Sequence, residues 1–233
     1  IRLKGNVTLK CNNSIFVDNY ANQGSSILNE KGVLNLYNSY ISSKIFNKYS
    51  QIVSLEESVV YIDNVTFANS NSSYSSAIYL RGAKAKIINS TFVNLTANMS
   101  AGAISMRNGG ETYIEGCGFV NITSTKNGGA IVADVTGEIG ADGNVIIIDT
   151  IFTNTSSGFG GAYLQLGGKL IMNNTEFTNA HATYNGGAVY MSYANAEINN
   201  CTFDSNGVDT IEGYPTYGGA IFFDMAELKV NNR

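Results

Sequence analysis

The chain has 233 residues and a net charge of −4, with only 14% charged residues, 25 glycines, one proline, no tryptophan and a single histidine. An acidic, charge-poor chain excludes a nucleic-acid binder, which needs a basic stripe, and a lone His181 excludes sites built from several imidazoles. No apolar run reaches the roughly 18 residues that cross a membrane, and Asn, Ser, Thr and Gly stand where the charges are missing, as suits turns and exposed β edges.

The elements follow one another in a repeating order, and the first copy displays it. Leu9 and Cys11 alternate with polar neighbours, the period-2 mark of a strand with one buried face. Asn13 and the small Ser14 follow, a pair that predicts a tight left-handed bend at a crowded corner. Phe16 follows the bend and Ile27 comes about ten residues further on, so each copy holds two or three short strands joined by turns.

Each of these positions recurs as a column. The aromatic column reads Phe16, Ile41, Phe67, Phe92, Phe119, Phe152, Phe177 and Phe203, with gaps of 25, 26, 25, 27, 33, 25 and 26. Seven residues before it lie Leu9, Leu34, Val60, Ala85, Thr112, Val145, Leu170 and Ala196; five before lie Cys11, Leu36, Ile62, Ile87, Ile114, Ile147, Met172 and Ile198. Three before come Asn13, Asn38, Asn64, Asn89, Gly116, Asp149, Asn174 and Asn200, and two before come Ser14, Ser39, Val65, Ser90, Cys117, Thr150, Thr175 and Cys201. A further column reads Ile27, Ile52, Ile78, Ile104, Ile131, Tyr163, Val189 and Ile221, introduced in four copies by Gly-Gly-Ala at residues 128–130, 160–162, 186–188 and 218–220.

A period of 25 to 27 with short strands excludes a propeller, whose blades need about 40 residues. It predicts an all-β chain: a single right-handed parallel β-helix, or solenoid, of about eight coils over residues 1–233, with two longer coils. At the spacing of paired strands eight coils stack to about 38 Å. Like then stacks on like, Phe on Phe and Asn amide on Asn amide. Leu228, Val230 and Asn232 fit a further coil and neither end carries a capping sequence, so flanking coils or cap domains of a longer protein are expected. The longer coils place loops at 134–143 and at 207–216, which holds Pro215; they are either binding loops or tolerated drift. After the Ile column a second apolar column (Leu28, Val53, Tyr79, Ser105, Val132, Leu164, Tyr190, Phe222) is expected to face outward, either towards a partner or neighbouring domain or beneath a segment that this sequence omits.

The acids Asp63, Glu111, Glu115, Asp149, Glu176, Glu197 and Asp204 are scattered, with Asp63, Glu115 and Glu197 assigned to the aromatic strand at differing columns. No column stacks acids with a partner base, so the chain reads as a non-enzyme with no catalytic residues, no cofactor and no metal. Asp134, Glu138 and Asp142 lack the alternate spacing of a dedicated calcium loop. Cys117 and Cys201 share a column three coils, about 14 Å, apart, too far for a disulfide; with Cys11 they read as small buried residues. His181 is placed in a turn. Among the Asn-x-Ser/Thr sequons, Asn71, Asn94, Asn98, Asn121 and Asn154 are the candidates for glycosylation, whereas Asn64, Asn89 and Asn200 sit in the turn ladder, where crowding hinders a glycan.

Gly-Gly-Ala-Ile alternating with Phe-x-x-Asn (Phe16–Asn19 and Phe203–Asn206, shortened to Phe-x-Asn in five coils) resembles the passenger repeats of the chlamydial polymorphic outer membrane proteins. It is also similar to repeats in adhesin-like surface proteins of methanogenic archaea and of some protists. The resemblance covers nearly the whole chain. It implies an extracellular right-handed β-helix in an adhesin or surface-structural role, with a protein or glycan partner and no catalytic residues to carry over. Two other readings stay open: a fragment of a carbohydrate-active enzyme, such as a polysaccharide lyase or glycoside hydrolase, with its groove beside the longer loops, and an architectural spacer within a larger assembly.

Overall fold

A computed structural model of the chain describes residues 1–134, 143–225 and 227–231. The described residues hold no helix, and their strands form three nine-stranded sheets in which neighbours are one coil apart in sequence. Sheet A runs from Arg2–Lys4 to Ile221–Asp224, sheet B from Thr8–Asn12 to Glu227–Asn231, and sheet C from Ile15–Val17 to Thr202–Asp204. The chain visits A, B and C in turn and climbs one coil per circuit, which makes it a parallel β-solenoid of about eight turns.

The columns are the pairing register. In sheet C, Phe67 pairs Phe92, Phe92 pairs Phe119, Phe119 pairs Phe152, Phe152 pairs Phe177 and Phe177 pairs Phe203. Ile41 fills the slot between Phe16 and Phe67. The six phenylalanines from Phe67 to Phe203 form one continuous stack with ring centroids 4.6–5.0 Å apart and planes within 9° of parallel. The strand spacing sets that separation, and it falls at the close end of the range for offset aromatic pairs. Sheet B stacks its two inward columns the same way, and all three faces meet in one core cluster.

The corner between sheets B and C is the predicted left-handed bend. All eight residues of its column, Asn13, Asn38, Asn64, Asn89, Gly116, Asp149, Asn174 and Asn200, have φ between 47° and 61°. The small residue beside them has a second reason to be small and polar. Ser90 donates to the Ile88 carbonyl at 2.7 Å and accepts the Val65 N–H of the coil before at 3.1 Å. Ser39 does the same between Tyr37 and Ser14, so the backbone groups that the bend takes out of the ladder stay satisfied.

A second left-handed corner lies inside sheet C, at the Asn of Phe-x-Asn. Asn69, Asn94, Asn121, Asn154 and Asn179 have φ of 51–54°. From Asn94 on, each Nδ2 donates to the Oδ1 of the Asn one coil earlier, at 2.7–3.2 Å, and these four bonds give an unbroken amide ladder over five coils. Asn121→Ala deletes two rungs and puts Ala at a φ it resists, so we expect a loss of about 2 kcal/mol in urea unfolding. Asn121→Gly removes the rungs alone and is expected to lose about half of that.

The Gly-Gly pair serves two separate needs. Gly128, Gly160, Gly186 and Gly218 have φ of 48–70°. The second glycine marks a close approach of coils, since a Cβ on Gly129, Gly161 or Gly187 would lie 1.8–2.1 Å from the carbonyl oxygen of the equivalent glycine in the next coil.

Several expectations need correction. The second apolar column is not an open outer face: Val53, Val132 and Leu164 are 1–3% exposed. Val132 and Leu164 form a small second core with Ala101, beneath Phe159, Leu166 and Tyr190. The cover is the chain's own, because the sheet C strands Ile151–Phe159 and Glu176–Asn185 run on past the Phe stack and bring Phe159 and Tyr184 over the Gly-Gly-Ala side. His181 lies within Glu176–Asn185, in a strand and not in a turn. Its Nε2 is 2.6 Å from Asp209 Oδ1.

Asp63, Glu115 and Glu197 lie in sheet B, one strand before the aromatic strand. Asp63 and Glu115 share a column, since both pair Ile88. The loop at 207–216 is tied to the rod by Gly207 and Val208, which pair His181 and Ala182, and is closed on itself by a bridge between Ile211 and Tyr214. In the other longer coil, residues 135–142, with Glu138 and Asp142, lie outside the described residues, as does Asn232. Asp134 ends the strand Ile131–Asp134 and pairs with Arg107 at 3.4 Å.

Candidate functional site

The outer face of sheet B carries what the core columns leave over. One residue before the Cys11-to-Ile198 column stand, in register from coil to coil, Lys10, Asn35, Tyr61, Lys86, Tyr113, Ile146, Ile171, Glu197 and Lys229. Two residues before these run Val59, Lys84, Glu111, Asn144 and Lys169 through the middle coils. Alternation forces both columns outward, because their neighbours Ile62, Ile87, Ile114 and Ile147 point into the core.

Between the two columns lies a shallow groove of about 550 Å³ that crosses five strands, from Val59–Asp63 to Lys169–Asn173. Tyr61, Lys86, Tyr113, Ile146 and Ile171 line it on one side. Lys86 Nζ sits 5.0 Å from the centre of the Tyr113 ring, a cation–π contact. Tyr61 packs at 5.5 Å against Tyr37 of the previous coil, with planes tilted by 45°. Lys84 and Glu111 face each other at 3.1 Å. The exposed pair contributes little to stability.

Both groove tyrosines hold their phenol protons more tightly than an exposed tyrosine does. Desolvation raises the Tyr113 phenol above its ordinary value, and the hydrogen bond to Glu115 at 3.0 Å and the charge of Glu115 add to it. Desolvation and then the charge of Asp63 raise Tyr61.

The acids near the groove are committed to neighbours. Glu111 pairs Lys84, Glu115 accepts from Tyr113, and Asp63 accepts from Asn89 Nδ2 at 3.1 Å. Asp63 and Glu115 are two coils apart, about 10 Å between backbones at the strand spacing. Ile88 stands between them in the same column, where a reacting sugar and water would have to fit. No group of three or more His, Cys, Asp or Glu is arranged to hold a metal ion among the described residues. The cysteines are free thiols, and burial pushes Cys117 up to about 11, which makes it a poor nucleophile.

The Phe and Asn ladder residues and the sequons singled out from the sequence fall outside this groove, whereas Glu111 lines it. Phe16, Phe67, Phe92, Phe119, Phe152, Phe177 and Phe203 are brought together in one ladder facing the core, and Asn64, Asn89, Asn174 and Asn200 at one corner. Of the sequons, Asn94, Asn121 and Asn154 belong to the sheet C amide ladder, where the crowding argued for the other corner applies equally. Asn71 and Asn98 are exposed and lie off both ladders. The groove itself was missed by tracking the buried columns; the signal that finds it is Tyr, Lys, Tyr, Ile, Ile in successive copies of a solvent-facing position.

Three nine-stranded parallel sheets closed around a stacked core define the chain as a β-solenoid, and no helix among its described residues is long and apolar enough to cross a membrane. No family model, curated protein or solved structure matches it.

Proposed function

We propose that the chain is an extracellular, cell-surface β-solenoid that acts as a non-catalytic recognition and display rod in adhesion or assembly. The observation that carries this reading is the outer face of sheet B: a shallow groove spread over five coils, lined by tyrosine, lysine and isoleucine, whose neighbouring carboxylates are each engaged by another side chain. Breadth along a rigid lattice suits holding a partner, whereas catalysis needs groups converging on one reacting atom. The stacked Phe and Asn ladders favour a stiff support. The resemblance of the repeats to surface-protein passengers agrees with display outside the cell.

The reading is tested by attaching the chain to beads and measuring their retention on whole cells and on immobilised glycans and proteins, with the supernatant assayed for released saccharide. Retention without release is expected. Release that is lost on substituting one acid would overturn it in favour of an enzyme. The surface setting predicts that material secreted from a glycosylating host carries glycan at Asn71 and Asn98. Glycopeptide mass spectrometry should find Asn94, Asn121 and Asn154 unmodified, because bulky glycans on adjacent coils about 5 Å apart break the amide ladder.

A further inference from the structure

We infer that the sheet B groove is a binding site for a linear glycan that bears carboxylates, a polyuronate, laid along the rod axis. The inference rests on the recognition reading above and names its ligand class. Three lysines, Lys84, Lys86 and Lys169, line the groove against one glutamate, Glu111, in a chain whose net charge is −4. The charge of the groove is therefore opposite to that of the molecule, and an anion gains there what it loses against the rest of the surface.

The Lys84–Glu111 contact at 3.1 Å already shows a carboxylate seated on a groove lysine. Lys169 has no ion-pair partner among the described residues, and Lys86 leans only on the Tyr113 ring. Tyr61 and Tyr113, two coils apart with Lys86 between them, offer apolar faces for sugar rings; the Tyr113 oxygen, whose proton goes to Glu115, can accept from a sugar hydroxyl. The five strands span about 19 Å, so the lattice repeats under a polymer that itself repeats.

A peptide is the poorer fit. Every strand under the groove is already paired on both sides, so an incoming chain finds no sheet edge to extend.

Calorimetry of the full chain with tetragalacturonate, its methyl ester, cellotetraose and pentaglutamate tests the assignment. Tetragalacturonate is expected to bind, to weaken as salt is raised, and to lose about tenfold or more in affinity with Lys86→Gln combined with Lys169→Gln. Both lysines are exposed, and an unchanged far-UV spectrum of the variant shows that the fold is kept. Tyr113→Ala is expected to weaken binding as well. Failure of tetragalacturonate to bind overturns the inference, as does binding that survives the lysine substitutions. Equal binding of the ester or cellotetraose overturns the role of charge, and equal or tighter binding of pentaglutamate assigns the face to acidic polypeptide. Tetragalacturonate that binds and is then cleaved supports the groove while overturning the non-catalytic reading.

Discussion

Phe119→Asp abolishes the cooperative fold. Phe119 is fully buried, with Phe92 stacked at 4.6 Å on one side and Phe152 at 4.8 Å on the other. Truncating such a ring to alanine alone removes about 3–5 kcal/mol, and an unpaired carboxylate in the same hole adds several more. A typical domain has about 5–15 kcal/mol in total. The position is central, and each coil buries its core only against its neighbours, so the break splits the stack into two short pieces. Loss of the thermal transition in circular dichroism is the expected result. Phe119→Leu, which keeps an apolar side chain in the slot, should retain the transition at lower stability.

The pH dependence of the aspartate variant gives a sharper check. Burial raises the pKa of a carboxyl above its unfolded value near 3.9. Between the two values the folded state binds more protons than the unfolded one, so the stability of the variant rises as pH falls through the raised folded value and levels off below about 3.9. A variant that melts like the wild type at neutral pH would show that the column does not face the core.

The architecture was legible because stacking gives equivalent residues the same surroundings. Phe92 and Phe119 meet identical neighbours above and below, as do Ile87 and Ile114, so the same residue type is selected at each repeat and the register can be read as columns. The left-handed corner was legible for the same reason, since Asn, Asp and Gly share tolerance of that backbone. The scarcity of charge follows too: like charges at every step of a ladder repel.

The groove was not legible in that way. Solvent-facing positions are under no shared packing constraint, so Asn35, Tyr61, Lys86 and Ile146 occupy one column without resembling one another. The fate of the second apolar column was hidden for a different reason. Whether Val132 and Leu164 are open or covered depends on how far the sheet C strands continue, and Phe159 reaches them only through that three-dimensional path, with Tyr184 stacked on its ring.

Gly161→Ala tests the closest contact between coils. An ideal Cβ at Gly161 would lie 2.1 Å from the Gly187 carbonyl oxygen, 2.5 Å from the His181 nitrogen and 2.6 Å from the His181 oxygen. All three are backbone atoms, two in the paired strand Glu176–Asn185 and one in the Gly-Gly-Ala turn of the next coil, which cannot step aside as a flexible side chain can. The substitution must push the Gly-Gly-Ala turn away from the strand Glu176–Asn185 and stretch the bond from the Gly161 nitrogen to the Gly186 carbonyl. It should also loosen the cover that Phe159 and Tyr190 place over Leu164. We expect a loss of at least about 3 kcal/mol in urea unfolding, the upper end for overpacking, because backbone on both sides resists relaxation. Hydrogen exchange should quicken first at the amides of residues 160–163 and 186–189. Gly118→Ala is the matched control: nothing lies within 4 Å of its Cβ, so it should be neutral or slightly stabilising. Equal stability of the two variants would mean that the second glycine is not held by the approach of the coils. A large difference identifies coil contact, distinct from the left-handed φ of Gly160, as the reason two glycines in a row recur on this side of the rod.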